Sequence, residues 1–390
     1  MGAELFDVVV IGAGPAGSAA AATVAAAGHS VALIDRKAFP RDKLCGGLIT
    51  GRSLRYFAEI FGAPLDVTPL ERRAAITFQF QGRPMGTIHD APPVYLSMRW
   101  DFDHHLVKQA LVRGAVDLTG QEIAEVDLAA RHVVLSDGRR IGYRVLIGAD
   151  GVNSMVARTL FGQSFDHARI GFGLEIEAPA NPRAQEMPIS VDIAAAAWGY
   201  GWSFPKQGST TIGVGGLLAE NEDMKGAMAS YLAGQGVEGA AKSIKGQFLP
   251  FGDYRKLPGK GAVLLAGDAA GLVDPITGEG IAHAMKSGQT AALAAVGAIR
   301  SGRPEHALTA YRRRLRPLHR SLRAATLLRH LIFRPRCRRM FETSFRNSSS
   351  VRRQYMELLA GELEYGVIVK ACFRRLPRIL RLLIQSKGVR

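Results

Sequence analysis

Cysteine is scarce in this 390-residue chain. Cys45, Cys337 and Cys372 are too few and too scattered for a disulfide framework or a zinc site, and they fit a reducing compartment such as the cytoplasm. No run of 18 uninterrupted apolar residues occurs, so no transmembrane helix is expected. No basic, cleavable leader precedes the first apolar run, FDVVVIG, so no secretory signal is expected either. Acidic residues are missing from one region in particular: residues 301–390 hold 22 Lys and Arg against five Asp and Glu, while the first 300 residues are close to neutral. The net charge of +16 therefore describes a neutral body with one basic module at its end. No internal repeat is present, and the SSS at 348–350 is the one low-complexity patch. With 47% hydrophobic residues, the chain has ample core for two lobes, at roughly 150 residues per domain.

What is present begins with IGAGPAG at residues 11–17. Val8–Ile11 is an all-apolar run, as expected of a parallel strand buried on both faces. The Ala-rich Ser18–Ala27 is a strong helix former stopped at Gly28, and Ser30–Ile34 is a second strand ending at Asp35. In this strand–turn–helix–strand context, Gly12, Gly14 and Gly17 permit a tight turn, close approach to a pyrophosphate, and close helix–strand packing. The free N–H groups of the helix opening at Pro15 and Ala16 then face phosphates. Asp35, 18 residues after Gly17 and followed by Arg36, is placed to accept ribose hydroxyls, and its charge disfavours a 2′-phosphate.

Two further segments continue the pattern. GADGVNSMVAR at 148–158 follows an apolar strand with a turn at Asp150–Gly151, which is either an ordinary turn or part of a cofactor site. LLAGDAAGLVDPITGEGI at 264–281 sets Asp268 after a buried strand, where a sugar-like hydroxyl would compensate its charge. Pro275, Gly278 and Gly280 then open a helix at Ile281, whose N-terminus could stabilise negative charge on a flavin.

Taken in order, these three segments resemble the fingerprints of the para-hydroxybenzoate hydroxylase-like FAD superfamily and span residues 8–298. The resemblance implies that Asp268 binds the ribityl chain, that Asp150 and Gly151 support FAD, and that Arg99 in MRWDFDHHL contacts the cofactor. Within the superfamily, KLCGG at 43–47 resembles the Cys-Gly-Gly loop of the geranylgeranyl reductase branch, placing Cys45, Gly46 and Gly47 near the isoalloxazine. GYGWSFPK at 199–206 resembles its P-x-x-Y-x-W-x-F-P stretch, with Ala197 where that branch has proline. The W-x-W-x-I-P segment of flavin-dependent halogenases matches less well.

Cys45 has two readings: a compact residue at a close approach, or a group that tunes the flavin or donates a proton. Trp198, Tyr200 and Trp202 alternate, as for one strand face lining a flat apolar pocket or as core aromatics. Cys45, Tyr200 and Trp202 are the candidate catalytic residues, with no proton donor identified. The expected fold is α/β: a Rossmann-type FAD-binding lobe (1–165 and 256–300, with part of the substrate sheet at 72–100), an inserted antiparallel substrate lobe (166–255), and a basic helical C-terminal region (301–390).

The resemblance implies hydride transfer from reduced flavin to a carbon–carbon double bond of an isoprenoid or other hydrophobic substrate; the alternative is FAD-dependent hydroxylation. NADPH, NADH or ferredoxin is the candidate electron donor, since no second GxGxxG occurs. Arg316, Arg320 and Arg323 interleave with Leu315, Leu318 and Leu322, and Arg374, Arg378 and Arg381 with Leu376, Ile379, Leu380 and Leu383. Such helices suit an anionic membrane interface or a solvated bundle packed on the body. No nucleic-acid module is recognisable.

Overall fold

The computed structural model describes residues 4–67, 69–237 and 244–370. Its central sheet is built from apolar runs that extend and bury both faces. In order, the strands are Gly259–Lys260, Val263–Leu265, Arg140–Gly148, Glu4–Ile11, Val31–Asp35 and Val116–Thr119. All neighbours are parallel except the first pair. Val8, Val9, Val10, Leu33, Ile34, Val145, Leu146 and Ile147 are wholly buried in it. The hairpin Ile123–Asp127 and His132–Leu135 pairs antiparallel with Arg140–Gly148. Helices Pro15–Ala26 and Ile281–Arg300 cross on one face. A Cβ at Gly288 would strike the Ala16 carbonyl, so the close approach of these two helices depends on the missing side chain.

The second lobe is a seven-stranded sheet: Lys245–Leu249, Gly171–Pro179, Ser209–Leu217, Tyr200–Pro205, Ile189–Ile193, Ile76–Phe80 and Arg83–Ile88. It is antiparallel except where Ile189–Ile193 runs parallel to Ile76–Phe80. The sheet therefore recruits residues 76–88, within the stretch anticipated at 72–100. Helix Met224–Gly234 covers one face through Met224, Met228, Tyr231 and Leu232, packing on Leu174, Ile176, Ile212 and Val214.

The described part of the C-terminal region packs on the body. Helices Ala307–Phe333, Pro335–Asn347 and Ser349–Leu359 bury Ile332, Phe333, Phe345, Tyr355, Met356, Leu358 and Leu359 in one core with Phe78, Phe80, Val191 and Ile193 of the substrate sheet. Along Ala307–Phe333, Leu315 and Leu322 are buried while Arg316, Arg320 and Arg323 are exposed, so the amphipathic pattern packs one side and solvates the other. Arg374, Arg378 and Arg381, with their interleaved apolar residues and Cys372, lie outside the described residues.

Candidate active site

A cavity of about 660 Å³ runs from Asp35 at the carboxyl end of a parallel strand, past the KLCGG loop, to Tyr200, Trp202 and Leu359. Its nucleotide end is made mostly of backbone. Gly12 has φ of +97°, and a Cβ there would enter the Ala149 carbonyl; a Cβ at Gly17 would enter the Gly12 carbonyl. Gly14 differs. The nearest atom to its absent Cβ is the Arg41 guanidinium tip 3.6 Å away, so open space is kept where a pyrophosphate must approach. Asp35 accepts from Ala13 N (2.8 Å) and Lys37 N (2.9 Å), and its carboxylate still borders the cavity. The helix opening at Pro15 has Gly14 as its N-cap and no side-chain cap, which leaves its first N–H groups for an anion.

Arg99 binds Asp103 through two hydrogen bonds, Nε to Oδ1 at 2.7 Å and Nη2 to Oδ2 at 2.6 Å, and Arg41 reaches the same carboxylate at 3.2 Å. Asp103 is fully buried. Two guanidiniums against one carboxylate leave one net positive charge beside the Gly14 opening. Burial opposes the Arg99 charge, but Asp103 and the neighbouring Cys45 outweigh burial and keep the guanidinium protonated.

At the middle of the cavity, Asp268 stands in the turn Gly267–Ala270 with no side-chain hydrogen bond among the described residues. Burial pushes the nearby Lys43 ammonium down, with Asp268 opposing that push. Helix Ile281–Arg300 starts at Gly280 without a side-chain cap, and Gly278, Gly280 and Ile281 border the cavity. Behind this turn, Arg52 and Thr50 hold Glu279, and Asp274 accepts from Ile276 N, Thr277 N and the Tyr365 hydroxyl.

The reacting end is a sheet face laid out in rows. Lys245, Glu175, Gly213, Trp202 and Val191 are consecutive partners across five strands, and Gln247, Gly173, Gly215 and Tyr200 form the next row. The glycines make a floor: a Cβ at Gly213 would collide with the Trp202 ring. Tyr200 and Trp202 pack edge to face with centroids 5.9 Å apart. The Tyr200 hydroxyl donates to Thr277 O at 2.9 Å, and burial pushes its pKa far up. Glu175, only 4% exposed, accepts from Cys45 N at 3.0 Å. Burial first, and then Glu177, push the Glu175 carboxyl up to about 7. Cys45 Sγ accepts weakly from Gly47 N at 3.5 Å.

Most residues singled out from the sequence border this one cavity: Gly12, Gly14, Pro15, Ala16, Asp35, Arg36, Cys45, Gly46, Gly47, Arg99, Asp268, Gly278, Gly280, Ile281, Tyr200 and Trp202. Gly17 keeps the helix–strand packing role and does not itself border the cavity. Three readings change. Pro275 is buried near Gly252 and does not itself border the cavity. Asp150 borders the cavity, but its carboxylate is spent on Ser154 Oγ (2.6 Å), Met155 N (2.7 Å) and Val156 N (3.2 Å), where it anchors the next helix. Trp198 leaves the strand in a turn with φ of +54° and packs on His330 and Arg329 of the C-terminal helix, so Phe204 takes the third place in the aromatic wall.

Arg41, Lys43, Glu175, Leu249 and Leu359 were not anticipated. Only Glu175 left a signal: in GFGLE, Gly171, Gly173 and Glu175 share one strand face, an odd place for an acid among glycines.

The FAD dependent oxidoreductase family matches residues 7–148, and the lycopene cyclase protein family matches residues 84–359. The menaquinone reductase of Mycolicibacterium smegmatis is 33% identical over 314 residues, covering 73% of this chain and 75% of that protein. The geranylgeranyl diphosphate reductase of Rhodobacter capsulatus is 32% identical, covering 77% of each. A geranylgeranyl bacteriochlorophyll reductase-like protein from Thermoplasma acidophilum superposes with a TM-score of 0.71 at 20% identity, covering 98% of this chain and 100% of that one.

Proposed function

The chain belongs to the geranylgeranyl reductase family of FAD-dependent oxidoreductases, and on that premise we propose that it saturates carbon–carbon double bonds in the polyprenyl chain of a lipid-like substrate. The observation that carries this reading is the continuity of one cavity from a phosphate-binding backbone turn to a wall of Tyr200, Trp202, Phe204, Leu249, Phe251 and Leu359. A flat, mostly apolar wall beside a flavin site suits an alkene and offers little to orient a hydroxylated aromatic ring.

FAD supplies the two-electron chemistry when bound. Gly12, Gly14 and the helix opening at Pro15 would hold its pyrophosphate, with Arg41 and Arg99 adding charge. Asp35 would take the ribose and Asp268 the ribityl chain. The N-terminus of Ile281–Arg300 would set a positive partial charge against the isoalloxazine. The Tyr200 hydroxyl ties the aromatic wall to the turn before Gly278.

Anaerobic turnover tests the reading. Prereduced protein mixed with geranylgeranyl diphosphate or a polyprenyl quinone should yield product heavier by two hydrogens per bond. Oxygen consumption with a hydroxylated product would instead establish the monooxygenase alternative.

Such a substrate has to be collected from a bilayer. No helix among the described residues is long and apolar enough to cross one. Exposed Arg313, Arg316, Arg320 and Arg323 lie on a helix whose Leu327 and Leu331 are also exposed, which supports peripheral docking on an anionic membrane. At about 1 kcal/mol per charge, R313E/R316E/R320E should lower binding to anionic vesicles roughly 100-fold or more. Turnover of detergent-dispersed substrate should be unchanged; equal vesicle binding by the variant would refute the docking face.

A further inference from the structure

Reduction of an isolated double bond needs a proton as well as a hydride. Several polar groups on the cavity wall are already committed. The Tyr200 hydroxyl donates to Thr277 O, and the buried Glu279 carboxylate is held by Thr50 and Arg52. The Asp150 carboxylate anchors a helix, and Cys45 Sγ accepts from Gly47 N and faces Arg99. Glu175 is different. It is buried, borders the cavity, and shares its row with Trp202 across the single residue Gly213. Its one backbone partner, Cys45 N, fixes it to the KLCGG loop, and Trp202 stands beside the carboxyl at the cavity wall.

We infer that Glu175 is the acid that protonates the substrate in the reduction proposed above, on which this inference rests. The alkene receives hydride, with its electron pair, from reduced flavin at one carbon. The Glu175 O–H bond breaks and a C–H bond forms at the other carbon. The carboxylate left behind regains its proton from solvent, and the flavin ends oxidised. The surroundings fit that cycle. Burial and Glu177 on the same strand favour the neutral acid, while Lys206, Trp202 and the Cys45 N–H favour the anion, which brings the group to about 7. Lys245, its partner on the adjacent strand, is drawn off to Asp42 at 2.9 Å.

E175Q tests this, because glutamine keeps an acceptor for Cys45 N and loses only the acid. In anaerobic single turnovers of prereduced protein with a prenyl substrate, E175Q should slow flavin reoxidation by about 10²–10⁴-fold. FAD affinity, read from flavin fluorescence, should change less than threefold. Wild-type rates should fall as pH rises through about 7, whereas the residual E175Q rate should lose that dependence. Infrared difference titration of flavin-free protein should show a protonated carboxyl band that titrates near neutrality and is absent from E175Q. A reoxidation rate within threefold of wild type, an unchanged pH profile, or no such band would each overturn the assignment. A wild-type protein that saturates no prenyl substrate overturns the parent reading and this one with it, even where the band is present.

Discussion

The two ends of the cavity are built on different principles. At the nucleotide end, the peptide N–H donors, the space without side chains and the strand-end carboxylate all lie within residues 12–35, and Arg41 and Arg99 add charge from outside that stretch. At the reacting end, Cys45, Glu175, Trp202, Leu249 and Leu359 come from five distant stretches and meet only because the strands and a C-terminal helix end pack together. The first arrangement is local and tolerates almost no added atom. The second is non-local, and its residues can change while the scaffold stays.

Arg99 touches both ends, so its loss should be the most damaging substitution. R99L strands Asp103 in the interior with Arg41 alone, and breaking a buried pair costs about 3–5 kcal/mol. Chemical denaturation should show that loss together with failure to retain FAD; a stable, flavin-loaded R99L would remove the link between the two ends.

Substitutions confined to one end should separate them. D35A removes a charged acceptor, worth about 1.5–3 kcal/mol, and should weaken FAD 10- to 100-fold by fluorescence titration. At saturating FAD, its single-turnover rate with substrate should equal that of wild type.

Glu175 gives the reacting end a stability signature of its own. Its folded pKa of about 7 lies above the usual glutamate value, so the native state holds a proton that the unfolded chain has released. Wild-type stability should therefore decline between about pH 4.5 and pH 7 relative to E175Q and level off above, by on the order of 1–3 kcal/mol. Parallel denaturation curves of the two proteins across that range would disprove a raised pKa.

The smallest effect belongs to the tie between the ends. Y200F deletes the bond to Thr277 O, worth about 1 kcal/mol, and should change FAD affinity no more than about fivefold while raising KM for the prenyl substrate. A larger loss of FAD than D35A causes would mean the aromatic wall, not the backbone turn, is the main cofactor anchor.

The same contrast explains what could be read in advance. Gly12, Gly14 and Asp35 were legible because a phosphate turn constrains backbone shape, and backbone shape restricts residue type at fixed spacing. The aromatic wall was legible in part: strand alternation placed Tyr200 and Trp202 together, but period alone could not tell that the chain turns at Trp198 with φ of +54° and hands the third position to Phe204. Asp150 fitted a cofactor motif and proved to spend its carboxylate on its own helix, because a helix N-terminus competes for any nearby acid. The amphipathic pattern of residues 315–323 lies on a helix, yet which surface its region's apolar residues cover depends on a hydrophobic sheet face far earlier in the chain, at Phe78 and Phe80.

The sequence by itself determined the flavoprotein scaffold, since a tight glycine turn, an Ala-rich helix and a strand-end acid are local and leave a residue-by-residue imprint. Tertiary structure alone decided that Glu175 faces Cys45 and Trp202 over a glycine floor and that Leu359 closes the same cavity. Those neighbours are set by strand register and helix docking, and the energy that fixes register is spread over the whole buried sheet face rather than written at the residues it brings together.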